Sequence, residues 1–371
     1  MKYLVFFNSS NEAGGPARVI STWSNYFINK GYKVEVVANL RTESFFELSN
    51  KIKLSFLGID KFKQKNLIRT FFILLRFIEE RENQYLIFNK AIYIPYLYFF
   101  KKLGLINNSL KLIYFIHGGS SDLKIYYNNW KSHMILKTFD KVIALHDDFD
   151  NFNTNKKKKI GRMIFDKFFF KNANIKVQNK LVFIPNPIIF PKNIKTNKTK
   201  IILAVGRLDF IKGFDLLIKA WGEIYSNHLD WKLQIVGSGE EKNNLYKIIK
   251  GNAIKNIELI PETKEIERFY SNASIYVMSS REEGWGMVIL EAMAFGLPII
   301  SFENSGAKKL IENDRTGIFV KLNNVEDLAK TISNMISNPL KRQEIGFNCQ
   351  LEAEKYNIGK IADKWGEIFQ N

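Results

Sequence analysis

Short apolar runs alternate with glycine-containing turns and amphipathic stretches along this chain. Residues 3–7 are apolar and predict a buried strand, and Gly14 and Gly15 follow it. Pro16 then begins a stretch with apolar residues at helical spacing, and residues 33–38 predict a second strand. Such a strand–helix–strand unit is typical of a parallel sheet, with its glycine turn at the carboxyl end of the first strand. The two glycines either approach a ligand there or only permit a tight turn, and the pattern leaves both interpretations open.

The same alternation returns in the second half of the chain. A helix is predicted from Met287 to residue 295, because Gly296 and Pro298 end it. Alternating strands and helices predict an α/β fold with a second Rossmann-like domain. The strands predicted for this half are residues 201–205, 232–236, 257–260, 274–278 and 299–302.

A stiff and then polar segment separates the two halves. Prolines at positions 185, 187 and 191 precede a run rich in Lys, Asn and Thr that reaches residue 199, and this composition predicts a linker. A chain of 371 residues is long for a single hydrophobic core. We therefore predict an N-terminal domain over residues 1–190 and a C-terminal domain over residues 191–355.

The composition is that of a globular protein of a reducing compartment. Hydrophobic residues make up 46% of the chain and aromatic residues 14%, which argues against disorder. Cys349 is the one cysteine, so no internal disulfide forms, and no Cys and His residues cluster at metal-ligand spacing. The N-terminal apolar run is too short for a signal peptide, and the longest apolar runs fall short of the roughly 20 residues that span a membrane. We expect a cytoplasmic protein, soluble or peripheral to a membrane.

Positive charge is concentrated in the first half. The chain carries a net charge of +18; residues 1–190 hold 30 Lys and Arg against 14 Asp and Glu, and residues 191–371 hold 25 against 23. A basic half beside a nearly neutral half indicates that one domain faces an anionic partner, which is a membrane leaflet, a lipid pyrophosphate or a nucleic acid. The alternative is a surface enriched in Lys by coding bias alone.

Two carboxylates stand out between the predicted strand at 274–278 and the helix that follows it. Glu283 and Glu291 are eight residues apart, which in a helix would separate them by roughly 12 Å along the axis. Two carboxylates that flank one glycosidic bond are about 5–9.5 Å apart, so a hydrolase pair is disfavoured. The spacing suits two acceptors that bind distant hydroxyls of one long ligand. Alternatively, Glu283 caps the helix and Glu291 is a solvated surface residue.

The residues around this pair resemble a known family. The segment Glu283-Gly284-Trp285-Gly286-Met287, continued through Leu-Glu291-Ala-Met-Ala-Phe-Gly-Leu-Pro, resembles the hallmark of the retaining family-four glycosyltransferases, which have the two-domain GT-B fold. Trp285 stands where the family usually has Phe. The resemblance implies that Glu283 contacts hydroxyls of the donor sugar, that Glu291 holds the nucleotide ribose, and that Gly284 to Met287 line the same donor site.

A second element of the family follows the strand at 201–205. Gly206, Arg207, Lys212 and Gly213 match the family's G-R-x-x-x-x-K-G pattern, which implies that Arg207 and Lys212 neutralise the departing nucleotide diphosphate while Gly206 lets the backbone approach it. A bidentate Arg and a point-charge Lys suit a diphosphate chemically. The alternative is a pair of solvated cations.

Three further positions are assigned by the resemblance. Gly14 and Gly15 stand in the loop that the family packs against the donor phosphates or the acceptor, and Glu262 replaces a usual Gly in the loop that cups the base. His117 follows the predicted strand at 111–116, where the family often has a His beside the reacting sugar and acceptor. A lone His is otherwise more often a structural hydrogen-bonding residue.

One acidic motif is interpreted as structural. Asp148 and Asp150 form a D-x-D pattern of the kind that binds Mn²⁺ in another glycosyltransferase fold, but acids at this position also favour a helix N-terminus. The GT-B fold needs no such metal, so we predict no metal site and no cofactor.

Two basic and apolar segments are candidates for a membrane surface. These are residues 60–82 and residues 156–170, and either could lie with its apolar face inserted and its cations near anionic headgroups. For residues 71–78 we expect a helix packed on the core instead. For residues 156–170 the membrane surface and a solvated loop remain equal alternatives.

Taken together, the resemblance implies a specific enzyme. It implies two facing Rossmann-like domains with an interdomain cleft, and a C-terminal helix at 356–371 that crosses back onto the first domain. The implied reaction is the retaining transfer of a hexose or N-acetylhexosamine from a nucleotide diphospho-sugar, UDP by family frequency, to a polyprenyl-pyrophosphate-linked glycan of capsule or O-antigen synthesis at the inner membrane face. The alternatives are a GDP-mannose-dependent transferase, a nucleotide-sugar epimerase, a basic nucleic-acid-binding protein, although no nucleic-acid-reading motif is present, and an inactive binding module. The residues expected to act in catalysis are His117, Arg207, Lys212 and Glu283.

Overall fold

The chain folds into two compact units. The structure, a computed structural model, describes residues 2–8, 14–39, 41, 44–59, 67–116, 134–135, 137–145, 180–191 and 198–370. The first unit is Met1–Pro187 with Ile361–Asn371, and the second is Ile188–Lys360. The divisions fall at 187/188 and 360/361, whereas the sequence suggested 190/191 and 355/356. Ile188 belongs to the second unit because its backbone exchanges hydrogen bonds with Tyr356 and Ile358.

The first unit is built on a parallel sheet of seven strands in the order β3-β2-β1-β4-β5-β6-β7. Its central strands are buried, as expected for a parallel sheet covered on both faces. The strands are β1 (Tyr3–Asn8), β2 (Lys33–Ala38), β3 (Lys53–Phe56), β4 (Gln84–Phe88), β5 (Lys111–Phe115), β6 (Lys141–Ala144) and β7 (Leu181–Phe183). The helices described in its N-terminal part are α1 (Gly15–Asn29), α2 (Leu67–Glu79) and α3 (Ile94–Lys102), the last preceded by a 3-10 turn at Ala91–Tyr93.

The second unit is built on a parallel sheet of six strands in the order β10-β9-β8-β11-β12-β13. Its strands are β8 (Ile201–Val205), β9 (Lys232–Val236), β10 (Ile257–Ile260), β11 (Ile275–Met278), β12 (Ile299–Phe302) and β13 (Gly317–Val320). Its helices are α4 (Phe214–Ile224), α5 (Lys242–Gly251), α6 (Ile266–Asn272), α7 (Met287–Ala294), α8 (Ala307–Leu310), α9 (Val325–Ser337) and α10 (Pro339–Ala353), with 3-10 turns at Phe210–Lys212, Tyr225–Asn227 and Glu354–Tyr356. The two parallel sheets with their helices confirm the predicted α/β class.

The C-terminal helix α11 (Ile358–Gln370) completes the core of the first unit. Trp365 is fully buried, and its ring centroid lies 5.4 Å from that of Trp23, 5.7 Å from that of Phe27 and 5.8 Å from that of Phe115. Aromatic clusters of this kind contribute packing energy beyond the burial of their area. From Ile361 onward the last helix is therefore an integral part of the first unit.

Helix α2 is only partly a core helix. Leu74 and Ile78 are buried in the first unit, as the sequence predicted for residues 71–78, but Phe72 is 61% exposed. Residues 60–66 and 156–170, which the sequence marked as candidate membrane segments, lie outside the described residues. Within the described part of the chain, no helix combines the length and the apolar character that crossing a membrane requires.

Candidate functional site

The strand order of the second sheet brings the two sequence motifs together. Strand β8 pairs directly with β11, although three helices and two strands separate them in sequence. The order of strands reverses at this pair, and the crevice outside the carboxyl ends of such strands is where open α/β sheets bind ligands. The loop from Gly206 to Gly213 follows β8, and the loop from Ser279 to Gly286 follows β11, so the loops are neighbours.

An ion pair joins the two loops. The Nζ atom of Lys212 donates a hydrogen bond to Oε2 of Glu283 at 2.7 Å, and the two side chains are 23% and 15% exposed. Lys212 is held at the end of its 3-10 turn because Asp209 accepts a hydrogen bond from the Lys212 backbone N–H. The predicted phosphate-binding cation and the predicted sugar-binding carboxylate are therefore in contact.

Arg281, which the sequence analysis did not single out, ties the same loops together more strongly. Its Nη1 and Nη2 atoms lie 2.9 and 2.8 Å from the two carboxylate oxygens of Asp215, the fork geometry that is favoured for Arg. Nη1 also donates to the carbonyl of Phe210 at 2.6 Å, and the guanidinium lies 4.0 Å from the centroid of the Phe210 ring. The Arg281 backbone N–H donates to the carbonyl of Ile211. These contacts fix the Lys212 loop against the Glu283 loop.

Two glycines permit this close approach. Gly213 has φ +63°, and a Cβ built on it would lie 2.1 Å from the carbonyl oxygen of Ser279, so a side chain fits neither the backbone conformation nor the space. A Cβ on Gly306 would lie 2.6 Å from the carbonyl oxygen of Glu283. That same carbonyl accepts a hydrogen bond from the Ser305 hydroxyl at 3.2 Å. The carbonyl of Glu283 is therefore closely packed against the Ser305–Gly306 segment.

Arg207 lies on the same loop but in a different setting. Its side chain is 76% exposed, and its Nε atom lies 3.5 Å from Oδ2 of Asp209. An exposed ion pair of this length is weak in water, so the guanidinium can leave it for a stronger anion at little cost. Gly206, just before it, places its would-be Cβ in ordinary contact with Phe214 and Lys212.

Glu291 projects from helix α7 toward the core of the unit. Its Oε2 atom accepts a hydrogen bond from the Tyr270 hydroxyl at 2.9 Å, so it is not a simple solvated residue. Tyr276, on strand β11, is fully buried in the same unit. Burial, followed by the charges of Glu291 and Glu283, raises the pKa of the Tyr276 phenol well above its usual value. Both carboxylates are therefore close enough to one phenol to act on it electrostatically.

The start of helix α7 offers backbone donors. Gly286 is the N-cap residue with φ +80°, and no side chain caps the helix before Met287. The first N–H groups of such a helix are available to an anionic or hydroxyl ligand. The carbonyl of Gly284 accepts from Nζ of Lys309 at 2.9 Å, which holds the loop in place. Trp285 is 5% exposed and packs edge-on against Tyr356 at 6.0 Å, which supports a role in shaping the loop.

The remaining predicted residues lie elsewhere. Glu262 is exposed after β10, where its backbone N–H donates to the Ser238 hydroxyl at 3.3 Å. Gly14 and Gly15 lie in the first unit, as the N-cap and first residue of α1. His117 falls outside the described residues.

In the described ranges, no group of three or more His, Cys, Asp and Glu residues is arranged to hold a metal ion. The D-x-D motif at Asp148 and Asp150 is not among the described residues, so the expectation that it binds no metal stays a prediction.

Proteins similar to this chain are named as glycosyltransferases. Residues 185–350 match the family model described as glycosyl transferases group 1. An uncharacterized glycosyltransferase of Haemophilus influenzae is 29% identical over 99% of this chain and its own full length. The amylovoran biosynthesis glycosyltransferase AmsD of Erwinia amylovora is 25% identical over 99% of both chains.

A solved structure shares the fold over the whole chain. A variant of Staphylococcus aureus TarM, in complex with fondaparinux, alpha-GlcNAc-glycerol and UDP, superposes with a TM-score of 0.76 at 14% identity, covering 100% of both chains. At this identity the likeness concerns the fold alone. The matched family model, the full-length relatives and the two parallel sheets lead to one conclusion. The chain has the GT-B fold, and its residues 185–350 resemble the group 1 glycosyltransferases.

Proposed function

We propose that this enzyme transfers a hexose or N-acetylhexosamine from a UDP-sugar, with retention of the anomeric configuration, to a lipid-linked glycan during bacterial cell-surface polysaccharide synthesis. The observation that carries the proposal is the contact between Lys212 and Glu283 at the switch point of the second sheet. It joins a cation suited to a diphosphate with a carboxylate suited to sugar hydroxyls, which are the two ends of a nucleotide sugar's reactive part.

In this proposal the charged residues divide the donor between them. Arg207 and Lys212 bind the diphosphate and stabilise the charge that develops on it as it departs, which is the type of electrostatic stabilisation that contributes most to many enzymes. Glu283 accepts hydrogen bonds from sugar hydroxyls, Glu291 accepts them from the ribose, and His117 contacts the reacting sugar or the acceptor. These two cations supply the positive charge at the leaving group, so the proposal includes no metal and no cofactor.

The transfer needs no reactant besides the donor and the acceptor. The bond between the anomeric carbon and the β-phosphate oxygen breaks, and the acceptor hydroxyl oxygen bonds that carbon on the same face. The acceptor proton passes to the departing diphosphate. UDP is favoured as the carrier because the TarM structure contains UDP.

The acceptor is inferred from the relatives and from charge. The AmsD relative is named for amylovoran biosynthesis, which supports a polysaccharide pathway. The excess of Lys and Arg in residues 1–190 suits a polyprenyl-pyrophosphate glycan and an anionic membrane surface. We therefore place the enzyme at the cytoplasmic face of the membrane.

A panel of nucleotide sugars tests the proposal. Thermal-shift measurements with UDP-glucose, UDP-galactose, UDP-N-acetylglucosamine and GDP-mannose identify the donor, and incubation of that donor with lipid-linked glycans identifies the product by NMR. We expect a UDP-sugar to stabilise the protein and an α-glycoside to form from an α-linked donor. A free isomerised nucleotide sugar as product would show that the protein is an epimerase. Stabilisation by GDP-mannose alone would show that the donor is a GDP-sugar and not a UDP-sugar, and a β-glycoside from an α-linked donor would contradict retention.

A further inference from the structure

Helices α2 and α3 present large apolar side chains to solvent. Ile68 is 71% exposed and Phe72 is 61% exposed on α2, while Phe99 is 46% exposed on α3 and Leu103, just after it, is 54% exposed. Ile68 and Phe72 are four residues apart and so lie on one face of their helix. Single exposed apolar residues are ordinary on proteins, but a contiguous group of them marks an interaction site.

Ring contacts make this group contiguous. The ring centroid of Phe71 lies 5.3 Å from that of Phe72, 5.9 Å from that of Phe99 and 4.9 Å from that of the buried Phe100. Phe71 therefore fills the seam between the helices, and the exposed Phe72 and Phe99 flank it. We define the α2–α3 surface as Ile68, Phe72, Phe99 and Leu103.

Cations accompany the α2–α3 surface on the same helices. Arg69 and Arg76 are exposed on α2, and Lys101 and Lys102 end α3. The acidic neighbours of these four cations are Glu79 on α2, Glu80, which pairs with Arg76 at 3.0 Å, and Asp140, which lies 3.4 Å from Lys101, so the group keeps a small net positive charge. Arg69 and Arg76 are one and four residues from the exposed Ile68 and Phe72, which puts charge beside apolar surface as in helices that lie in a membrane interface.

We propose that the α2–α3 surface is the membrane-docking face of this enzyme and that it takes an anionic lipid bilayer. Phe72, Phe99 and Ile68 enter the boundary between headgroups and acyl chains, and Arg69, Arg76 and Lys102 lie at the level of the anionic headgroups. Exposed apolar side chains on two helices in contact, with cations on the same helices, suit the interface of a bilayer. The proposal deepens the proposed function by naming how the enzyme reaches a lipid-linked acceptor, and it uses no residue of the donor site.

Vesicle binding without any sugar tests this face. The full chain is sedimented with vesicles of pure phosphatidylcholine and of phosphatidylcholine containing phosphatidylglycerol, at low and high salt. We expect binding to the anionic vesicles that weakens with salt. The variant Ile68→Ser/Phe72→Ser/Phe99→Ser is expected to lower the partition coefficient at least about tenfold, because each substitution removes apolar area that the side chain would bury in the bilayer. The charge variant Arg69→Gln/Arg76→Gln/Lys102→Gln is expected to remove the preference for anionic lipid.

A matched variant and a reporter separate docking from other effects. Phe347 is 63% exposed on α10 in the second unit, so Phe347→Ser removes an equally exposed ring and is expected to leave vesicle binding unchanged. The fluorescence of Phe72→Trp is expected to shift to shorter wavelength on anionic vesicles. Stabilisation by the donor nucleotide sugar is expected to stay intact in every variant, so loss of docking is distinguishable from failure of the proposed function.

Three results would overturn the proposal. One is equal vesicle binding by the wild type and the triple apolar variant, and another is an unshifted Phe72→Trp spectrum when the protein sediments with vesicles. The third is a wild-type dimer that the triple variant converts to a monomer without change in vesicle binding, because the face would then be an interface between copies of this chain.

Discussion

Nζ of Lys212 lies 2.7 Å from Oε2 of Glu283, although 71 residues separate the two in sequence. Without a donor, the ammonium of Lys212 and the carboxylate of Glu283 neutralise each other. When a donor binds, its phosphate replaces Glu283 as the partner of Lys212, and its hydroxyl groups replace Lys212 as the partners of Glu283. The pair therefore keeps both groups in position before a donor binds.

Arg207 and Lys212, in the loop that follows β8, are expected to be needed for turnover. Lys212→Ala and Arg207→Ala should each lower kcat by a factor on the order of 10² to 10³, the usual cost of removing one group that stabilises developing negative charge. Release of UDP measures this. Lys232 forms an ion pair of the same 2.7 Å length with Glu258, outside the two motif loops, so Lys232→Ala is the matched control. Unchanged turnover in Lys212→Ala would contradict the assigned role.

Arg281 is expected to act as a positioning residue. Arg281→Met removes the fork to Asp215 and the bond to the Phe210 carbonyl, and should destabilise the protein by about 2 kcal/mol, the scale of hydrogen bonds to charged groups. It should also lower kcat and weaken donor binding together, because both loops shift. Denaturant unfolding and steady-state kinetics measure the two effects. A variant that unfolds earlier but retains full kcat and KM would show that Arg281 is only structural.

Gly213 is expected to tolerate no side chain. Gly213→Ala forces a Cβ against the Ser279 carbonyl and an L residue into φ +63°, so we expect loss of donor binding and lower stability. Gly251 ends helix α5 and has open space around its would-be Cβ. Gly251→Ala is therefore expected to be neutral or stabilising by up to about 1 kcal/mol. Equal effects of the two substitutions would refute the close approach of the loops.

Tyr270 is expected to support the ribose-binding role of Glu291. Tyr270→Phe removes the hydrogen bond that holds the carboxylate, so we expect weaker binding of UDP with little change in kcat, the signature of binding that is uniform along the reaction. Calorimetry with UDP and with a UDP analogue that lacks the ribose hydroxyls measures this. If Glu291→Ala weakened both ligands equally, the carboxylate would not bind the ribose.

Lys198 is expected to make stability depend on pH. Burial lowers the pKa of Lys198 from 10.5 to about 8, while its Nζ donates to the carbonyls of Phe295 and Tyr270. At a pH between about 8 and about 10.5, Lys198 is protonated in the unfolded chain but mostly deprotonated in the folded chain. The free energy of unfolding therefore rises as the pH rises through this range. The rise from this residue is up to about 3 kcal/mol. Lys198→Met should remove it, and identical slopes in denaturant unfolding across this range would contradict the shift.

Local pattern was sufficient for much of the fold. The strands predicted at residues 201–205, 232–236 and 257–260 are those observed, because each is a short apolar run ended by Gly or Pro. The sequence predicted a helix that begins at Met287 and ends before Gly296 and Pro298, and α7 lies within these bounds. The motif residues Lys212 and Glu283 followed from the family resemblance.

Contacts between residues that are far apart in the chain could not be predicted from the sequence. The contacts Arg281–Asp215 and Tyr270–Glu291 depend on which strands are neighbours, and apolar periodicity carries no information on strand order. Two signals were present: Arg281 stands two residues before Glu283, and Asp215 two residues after Gly213. The expectation that residues 71–78 form a core helix was right for Leu74 and Ile78 and wrong for Phe72, which is exposed on the opposite face.

The loop from Gly206 to Gly213 and the loop from Ser279 to Gly286 are expected to bind opposite ends of one activated sugar. Calorimetric binding of UDP and of the UDP-sugar that the panel selects, by the wild type, Arg207→Ala and Glu283→Gln, tests it most directly. We predict that Arg207→Ala weakens both ligands, whereas Glu283→Gln leaves UDP affinity nearly unchanged and removes the extra affinity for the sugar. Loss of UDP affinity in Glu283→Gln, with the extra affinity for the sugar retained, would show that Glu283 does not bind the sugar.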